Sequence, residues 1–170
     1  MIAKSWYWLG LIACLSLLAV AYFYFQKYLG MPPCPLCMFQ RGALILVATM
    51  CVLGILFSPQ KIGSKLLAFG ATLGSALGLA LASRHVWLQN LPEDLVPECG
   101  PPLEYMLDAF PIAQVISSVL SGSGECAEVD KFLGLSIALW MVIVFAVMLI
   151  ICLRLLFKKE RNYFSGSLGR

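Results

Sequence analysis

Four long apolar segments dominate the pattern of hydrophobic and polar positions along the chain. The first runs from Trp6 to Phe25 without a charge. At about 1.5 Å per residue it would form a helix about 30 Å long, enough to cross a bilayer. Its length, its aromatic end and the lack of a following small-x-small motif predict a retained helix, not a cleaved signal peptide. The predicted transmembrane helices cover residues of about 6–25, 41–57, 66–83 and 132–156.

Two further patterns lie within and between these segments. In the third segment, Gly70, Gly74 and Gly78 recur at four-residue spacing, which lets neighbouring helices approach closely. In the polar stretch after it, apolar residues repeat at helical spacing over residues 103–110 and again over 112–119. This repeat predicts two short amphipathic helices, with their apolar faces on the bilayer or over the ends of the transmembrane helices.

Composition supports a membrane protein. Of the 170 residues, 61% are hydrophobic and 12% are charged, whereas a soluble domain carries about 25% charged residues. A globule of this size has too little interior to bury so much apolar surface, so part of it must face lipid. Disordered chains, collagen-like repeats and small secreted disulfide-rich proteins are excluded, and we expect no nucleic-acid partner.

The few charged residues predict the orientation of the chain. Basic residues concentrate from Arg154 onward and in the loop after the second segment, whereas eight of the nine acidic residues lie between the third and fourth segments. By the positive-inside rule, both termini are cytoplasmic, and loops at about 26–40 and 84–131 are periplasmic in a bacterial inner membrane. The predicted fold class is an all-α membrane protein, a four-transmembrane-helix bundle whose long periplasmic loop carries short amphipathic helices. We expect a single integral membrane domain over residues 1–170.

The seven cysteines divide by their predicted depth. Three lie inside apolar segments, where free cysteine behaves as a small apolar residue: Cys14, Cys51 and Cys152. The other four lie on the predicted periplasmic side, where disulfides persist: Cys34, Cys37, Cys99 and Cys126. Their spacing favours one pair in the first loop and a second pair in the long loop.

The segment Cys34-Pro35-Leu36-Cys37 suits either a metal site or a dithiol redox couple. Zinc with four protein ligands would have to recruit both cysteines of the long loop, because the chain has one histidine. A structural staple is a second alternative, but closing so short a loop removes little entropy from the unfolded chain. The redox couple is therefore favoured.

Local geometry supports redox chemistry. Pro35 suits the first position of a helix that leads into the second segment. Cys37 then lies in the first turn, where the helix dipole favours a thiolate. Arg41 follows one turn later on the same face and offers donors to a lipid-soluble carbonyl acceptor, a quinone, unless it is a snorkelling anchor. His85 is predicted at similar depth, as an acceptor contact or an interfacial packing residue, and Arg84 is a competing donor.

Cys99 and Cys126 lie among prolines and glycines, which predict exposed loops. A disulfide between them is accessible to an attacking thiolate, and access helps to set the rate of thiol–disulfide exchange. The alternative is a loop staple, which would contribute about 3–4 kcal/mol on the chain-entropy model. With a CxxC motif on the same face, the pattern favours a two-stage thiol relay.

The chain as a whole resembles the bacterial disulfide bond formation protein B (DsbB) family of quinone-linked membrane oxidases. The matching segments are Pro33-Cys34-Pro35-Leu36-Cys37, Gln40-Arg41, Pro97-Glu98-Cys99-Gly100, Glu125-Cys126 and Phe132-Leu133-Gly134-Leu135. By this resemblance, Cys99 forms a mixed disulfide with a reduced thioredoxin-fold partner similar to DsbA. Cys126 then exchanges with Cys34, and Cys37 is the sulfur next to the quinone.

The resemblance also implies the acceptor and the overall reaction. Arg41 contacts the quinone, ubiquinone or menaquinone, and His85 matches a family histidine near it. The predicted function is that of an inner-membrane protein-dithiol:quinone oxidoreductase. It would reoxidise a DsbA-like periplasmic protein by passing electrons through two cysteine pairs to the membrane quinone pool.

Other classes of function fit the sequence less well. A disulfide-stapled four-span structural or assembly protein without redox turnover is the main alternative. A transporter would need paired ionisable groups near the bilayer midplane, which the apolar segments lack. A vitamin K epoxide reductase-like enzyme has a different cysteine layout, and a membrane haem protein usually needs two axial histidines.

Overall fold

The structure is a computed structural model that describes residues 2–31, 33–57, 61–92, 95, 103–122, 124–127, 129 and 131–157. Its first long helix begins as α1 (Ile2–Ala19) and continues as a π-helix over Val20–Tyr28. The remaining helices are α2 (Pro35–Phe57), α3 (Lys61–Gln89), α4 (Leu103–Ala109), α5 (Ile112–Ser121) and α6 (Ile137–Phe157). Between α5 and α6 lie a 3-10 turn (Gly124–Cys126) and two short strands, β1 (Lys131–Phe132) and β2 (Leu135–Ser136).

The all-α, four-helix membrane fold is confirmed. Within the described residues, four helices are long and apolar enough to cross a membrane. A helix pairs every interior backbone N–H and C=O group within its own segment, which a chain in lipid requires because hydrocarbon offers no partners. The same physics explains why so apolar a sequence forms helices; among the described residues, the exception is one pair of two-residue strands.

Each long helix packs against the next long helix along the chain. α3 lies against both α2 and α6, and α1 lies against α2. The predicted close approach at the glycines of α3 is confirmed, because a methyl group at Gly78 would overlap the ring of Phe145 on α6. Gly74 and Gly70 in the same way leave room for Val47 and Met50 of α2. Small residues therefore set the distance of α3 from both neighbours.

Two separate groups of buried residues form the interior. The mid-bundle core lies between the long helices and comprises Cys14, Ala43, Leu44, Val47, Ala48, Cys51, Ala71, Ala82 and Phe145. The loop-end cluster lies where α2 begins and α3 ends, and it comprises Cys34, Leu36, Leu88, Met106, Val115, Val119 and Cys126. The second cluster therefore joins the ends of two long helices to the short helices α4 and α5.

Both short helices of the long loop are present as predicted. Their buried side chains, Met106, Val115 and Val119, pack into the loop-end cluster, so these helices cover the ends of α2 and α3. At the end of α5, Ser121 O accepts a hydrogen bond of 3.2 Å from the Arg84 guanidinium, which also lies 4.1 Å from the Trp87 ring. Arg84 of α3, predicted as a competing donor to the acceptor, therefore holds the end of α5 against the bundle.

The predicted start of the fourth transmembrane helix, at about Phe132, is wrong. Phe132 lies in β1, which pairs with β2 in an antiparallel hairpin, and α6 begins at Ile137. The two-residue turn uses Leu133 and Gly134, both with positive φ (52° and 85°), as a tight hairpin turn requires. The apolar run continues through the hairpin, so hydrophobicity alone does not mark the boundary. Trp140 Nε1 donates to Phe132 O (3.0 Å) and holds the hairpin against α6.

Candidate active site

Cys34 and Cys37 form a close pair of thiols at the start of α2. The helix begins at Pro35, as predicted, so Cys34 immediately precedes it and Cys37 lies in its first turn. The two sulfur atoms are 2.7 Å apart, and the backbone N–H of Cys37 donates to Cys34 Sγ at 3.3 Å. The turn therefore brings both sulfurs together at a helix N-terminus.

His85 of α3 lies against both sulfurs. Its Nε2 is 4.0 Å from Cys34 Sγ, and its Nδ1 is 4.0 Å from Cys37 Sγ. The imidazole is buried, with 5% of the residue surface exposed. His85, which was predicted to contact the quinone acceptor, thus lies beside the dithiol. This follows because α3 runs antiparallel to α2 and ends beside the start of α2.

Cys126 lies in the same cluster. It ends the 3-10 turn after α5, is fully buried, and belongs to the loop-end cluster together with Cys34 and Leu36. Cys126 also interacts electrostatically with the His85 imidazole. Three of the four predicted site cysteines therefore gather around one histidine, whereas Cys99 lies outside the described residues.

Arg41 is directed toward the first transmembrane helix. One guanidinium nitrogen donates to Gln26 Oε1 (2.9 Å) and the other terminal nitrogen donates to Ala21 O (3.1 Å). Both acceptors belong to the π-helical segment, a rare helix type that is frequent at functional sites. Arg41, one turn from Cys37 on α2, is therefore hydrogen-bonded to groups of the protein. A simple snorkelling anchor would instead direct its guanidinium to water or lipid head groups.

Aromatic rings fix the π-helical segment to the β1–β2 hairpin. Phe132 packs edge-on against Phe25 and Tyr24, with ring centroids 5.5 Å and 5.9 Å apart, and Tyr24 stacks on Tyr28. These contacts hold the residues that lead into α6 beside the helix that binds Arg41. The hairpin is thus attached to the same π-helical segment that accepts the hydrogen bonds of Arg41.

Two glutamines near the dithiol received no role from the sequence, although Gln40 belongs to the matching Gln40-Arg41 segment. Gln26 is the acceptor for Arg41, and its signal was a polar residue directly after an aromatic run. Gln40 precedes Arg41 on α2 and is 3% exposed, and its Nε2 has no hydrogen-bond partner in the described structure. Leaving a buried donor unpaired costs about 1–3 kcal/mol. The sequence signal for Gln40 was an amide side chain on the face of α2 that points to the interior of the bundle.

The donor atoms of Cys34, Cys37 and His85 lie within 4.8 Å of one another, a grouping that also occurs in metal sites. Two thiolates bound at about 2.3 Å to a tetrahedral zinc would be about 3.8 Å apart. The two sulfurs here are 2.7 Å apart. The arrangement consequently suits a dithiol that exchanges with a disulfide better than a zinc site.

The remaining cysteines lie elsewhere. Cys14 and Cys51 are buried in the mid-bundle core, and Cys152 packs against its edge, with its sulfur 3.8 Å from Ser75 Oγ. Gly10 of α1 faces Cys51 so closely that a side chain there would overlap the sulfur. These three residues act as apolar packing groups, as expected for cysteines within apolar segments.

The sequence of the chain is similar to that of proteins of disulfide bond formation. Residues 3–155 match the sequence model of the family described as disulfide bond formation protein DsbB. Disulfide bond formation protein B of Chromohalobacter salexigens is 48% identical over 150 residues, which cover 87% of each chain. The protein of the same name from Psychrobacter cryohalolentis is 43% identical over 155 residues (90% of this chain and 88% of the relative). That from Hahella chejuensis is 46% identical over 143 residues (84% and 86%).

Proposed function

The chain belongs to the disulfide bond formation protein DsbB family, and from that membership we propose that it is a protein-dithiol:quinone oxidoreductase. It is a multi-pass membrane protein of disulfide bond formation. In the proposal it occupies the bacterial inner membrane as a single domain, with both termini cytoplasmic and the loop-end cluster at the periplasmic surface. Its partner is a reduced, DsbA-like thioredoxin-fold protein.

One observation carries the proposal: the Cys34–Cys37 dithiol lies at the start of a transmembrane helix, against His85 and in the same buried cluster as Cys126. A dithiol at the membrane boundary meets a water-soluble protein on one side and a lipid-soluble acceptor on the other. The proximity of Cys126 supplies the connection between the long loop and that dithiol.

The first exchange is proposed to take place at the long loop. A thiolate of the reduced partner attacks Cys99 Sγ of a Cys99–Cys126 disulfide, and the Cys126 thiolate leaves. The second thiolate of the partner then attacks the mixed disulfide and displaces the Cys99 thiolate. The partner departs with a disulfide, and two electrons remain on the cysteines of the loop.

The second exchange passes these electrons to the dithiol pair. The Cys126 thiolate attacks Cys34 Sγ of a Cys34–Cys37 disulfide and displaces the Cys37 thiolate. Cys99 then attacks Cys126, which restores the loop disulfide and releases Cys34. Burial of Cys34 and Cys126 in one cluster supports this step, because the sulfurs need no large movement of α2 to approach each other.

The residues around Cys37 fit a quinone. A quinone head group is a flat apolar ring with two carbonyl acceptors, so its site needs donors in apolar surroundings. Gln40 Nε2 is a buried donor without a partner, and the guanidinium of Arg41 has five N–H groups, only some of which its two bonds use. When bound, ubiquinone or menaquinone accepts two electrons and two protons.

In the proposal, Cys37, Arg41 and His85 line the quinone site. Reoxidation of the dithiol joins Cys34 Sγ to Cys37 Sγ and releases two electrons and two protons. His85 contacts both sulfurs, so its imidazole is placed to stabilise whichever sulfur carries the negative charge. Overall, one partner dithiol and one quinone give one partner disulfide and one quinol.

The test is anaerobic mixing of the purified full-length protein with a reduced DsbA-like partner and decylubiquinone. We expect one quinone reduced for each partner disulfide formed. Cys37→Ser should reduce quinone only at the rate without protein, and Cys51→Ser, on the same helix, should keep wild-type turnover. Absence of quinone reduction by the intact protein, or full turnover by Cys37→Ser, would contradict the proposal.

A further inference from the structure

Gln40 is an unsatisfied polar group in the interior of the bundle. It lies on α2 three residues after Cys37 and one before Arg41. The residue is 3% exposed, and the Nε2 atom of its amide is buried without a hydrogen-bond partner in the described structure. Buried amides are nearly always hydrogen-bonded, so an isolated exception needs an explanation.

The surroundings of Gln40 are apolar on its own helix. Leu36 lies one turn before it and Leu44 one turn after it on the same face, and both are buried. Leu36 belongs to the loop-end cluster and Leu44 to the mid-bundle core, so Gln40 lies between these two clusters along α2. The amide is therefore held in an environment that offers it few acceptors.

The position of Gln40 relative to the dithiol is fixed by helix geometry. Residues three apart on an α-helix are neighbours, and three residues advance it by about 4.5 Å. Cys37, Gln40 and Arg41 together span about 100° of the circumference of α2. A flat acceptor that lies beside Cys37 on this face is consequently within reach of the Gln40 amide, one turn deeper in the bundle.

We propose that the Gln40 side-chain amide donates a hydrogen bond to a carbonyl oxygen of the bound quinone. The inference rests on the proposed function and adds a binding residue to that site. The amide supplies a neutral donor on the interior side of the head group, and Arg41 supplies charged donors on the side of α1. A carbonyl acceptor would pair the buried Gln40 Nε2, which has no partner among the described residues.

The first experiment measures stability, not turnover. Gln40→Met keeps the length of the side chain and removes the donor, so the quinone-free protein should unfold at a higher temperature than the wild type. Decylubiquinone should raise the unfolding temperature of the wild type more than that of Gln40→Met. Gln114→Met, at an exposed position of α5, is the matched control and should match the wild type in both comparisons.

The second experiment measures affinity. Titration with decylubiquinone should give a Kd about tenfold higher for Gln40→Met, the factor expected for loss of one hydrogen bond with its donor buried. Gln40→Leu should behave like Gln40→Met, so that misfolding of one variant does not remove the test.

The outcomes separate the two claims. If the wild type neither binds nor reduces decylubiquinone, the proposed function fails and this inference with it. If the wild type does both and the Gln40 variants bind equally well, only the inference fails. A quinone-free variant less stable than the wild type would indicate that a water already satisfies the amide. If phospholipid alone stabilises the wild type as much as decylubiquinone does, the acceptor is a lipid carbonyl. Either of these last two results would overturn the proposal.

Discussion

Cys34, at the start of α2, and Cys51, within that helix, are almost equally buried, with 7% and 8% of their surfaces exposed. Cys126 and Cys14 are both fully buried. In each pair, the first residue belongs to the loop-end cluster and the second to the mid-bundle core. Burial therefore does not distinguish the cysteines that we propose to react from those that we assign to packing.

The difference lies in what surrounds each sulfur. In the mid-bundle core, Cys14 and Cys51 pack among alanine, leucine, valine and Phe145 side chains. In the loop-end cluster, Cys34 has a second sulfur at 2.7 Å and an imidazole at 4.0 Å. Thiol exchange needs a second sulfur within reach and groups that stabilise a thiolate. Only the loop-end arrangement offers both among the described residues.

The largest effect is expected from Cys126→Ser, which breaks the connection between the two exchange steps. Quinone reduction driven by the reduced partner should fall to the uncatalysed rate, because the long loop can no longer pass electrons to Cys34. Reduction driven by dithiothreitol should persist, because that small dithiol can reduce the Cys34–Cys37 disulfide directly. Cys14→Ser, equally buried in the mid-bundle core, is the control and should keep both activities. Persistence of partner-driven turnover in Cys126→Ser would show that the relay does not pass through Cys126.

The next effect concerns Arg41. Arg41→Met should raise KM for decylubiquinone about tenfold or more, because a hydrogen bond to a charged group contributes about 1.5–3 kcal/mol. Arg84→Met, which removes the guanidinium bonded to Ser121, should leave KM within about twofold. Steady-state kinetics at saturating reduced partner measures both. An unchanged KM in Arg41→Met, or an equal rise in both variants, would remove Arg41 from the quinone site.

A substitution that crowds the mid-bundle core should change stability and leave the chemistry intact. Gly78→Ala places a methyl group into the Phe145 ring and should destabilise the fold by about 1–3 kcal/mol, the usual cost of overpacking. Gly42→Ala adds the same methyl group to α2 where no atom lies within 4 Å, and it should not destabilise the protein. Thermal unfolding in detergent measures the difference. Turnover per folded molecule should equal the wild-type value in both variants, and a loss confined to Gly78→Ala would show that the two regions are coupled.

The smallest effect is expected from Gln26→Leu, which removes the acceptor that orients Arg41. KM for quinone should rise about threefold, within the range of one hydrogen bond, with kcat nearly unchanged. In the Arg41→Met background, the same substitution should have no further effect on KM, because the two residues act as a unit. Additive effects in this double-mutant cycle would mean that Gln26 does not act through Arg41.

The helical framework was predictable because it follows from hydrophobicity and local helix rules. Lipid forces apolar segments into helices, so their number and approximate place could be predicted. Pro35 marks the start of α2 for a local steric reason, and the glycines of α3 mark a close approach. In each case the physical cause of the feature lies within a short stretch of sequence.

The details of the candidate site could not be predicted in the same way. Hydrophobicity does not separate the β1–β2 hairpin from α6, since Phe132 and Leu133 are as apolar as the helix that follows. The partners of Arg41 lie on another helix, in a π-helical segment that has no simple sequence signal. Gln40 becomes informative only when its missing partner is seen in three dimensions. Such features depend on contacts between segments distant in the sequence.

The most direct test of the difference between the two regions is a residue-resolved map of free thiols before and after quinone addition. The fully reduced protein is mixed anaerobically with decylubiquinone, the remaining thiols are alkylated, and each cysteine is quantified by mass spectrometry. We predict that Cys34 and Cys37 lose their thiols as one quinone is reduced for each disulfide, whereas Cys14, Cys51 and Cys152 stay fully alkylated. Unchanged thiols at Cys34 and Cys37, or equal loss across the mid-bundle cysteines, would contradict the account.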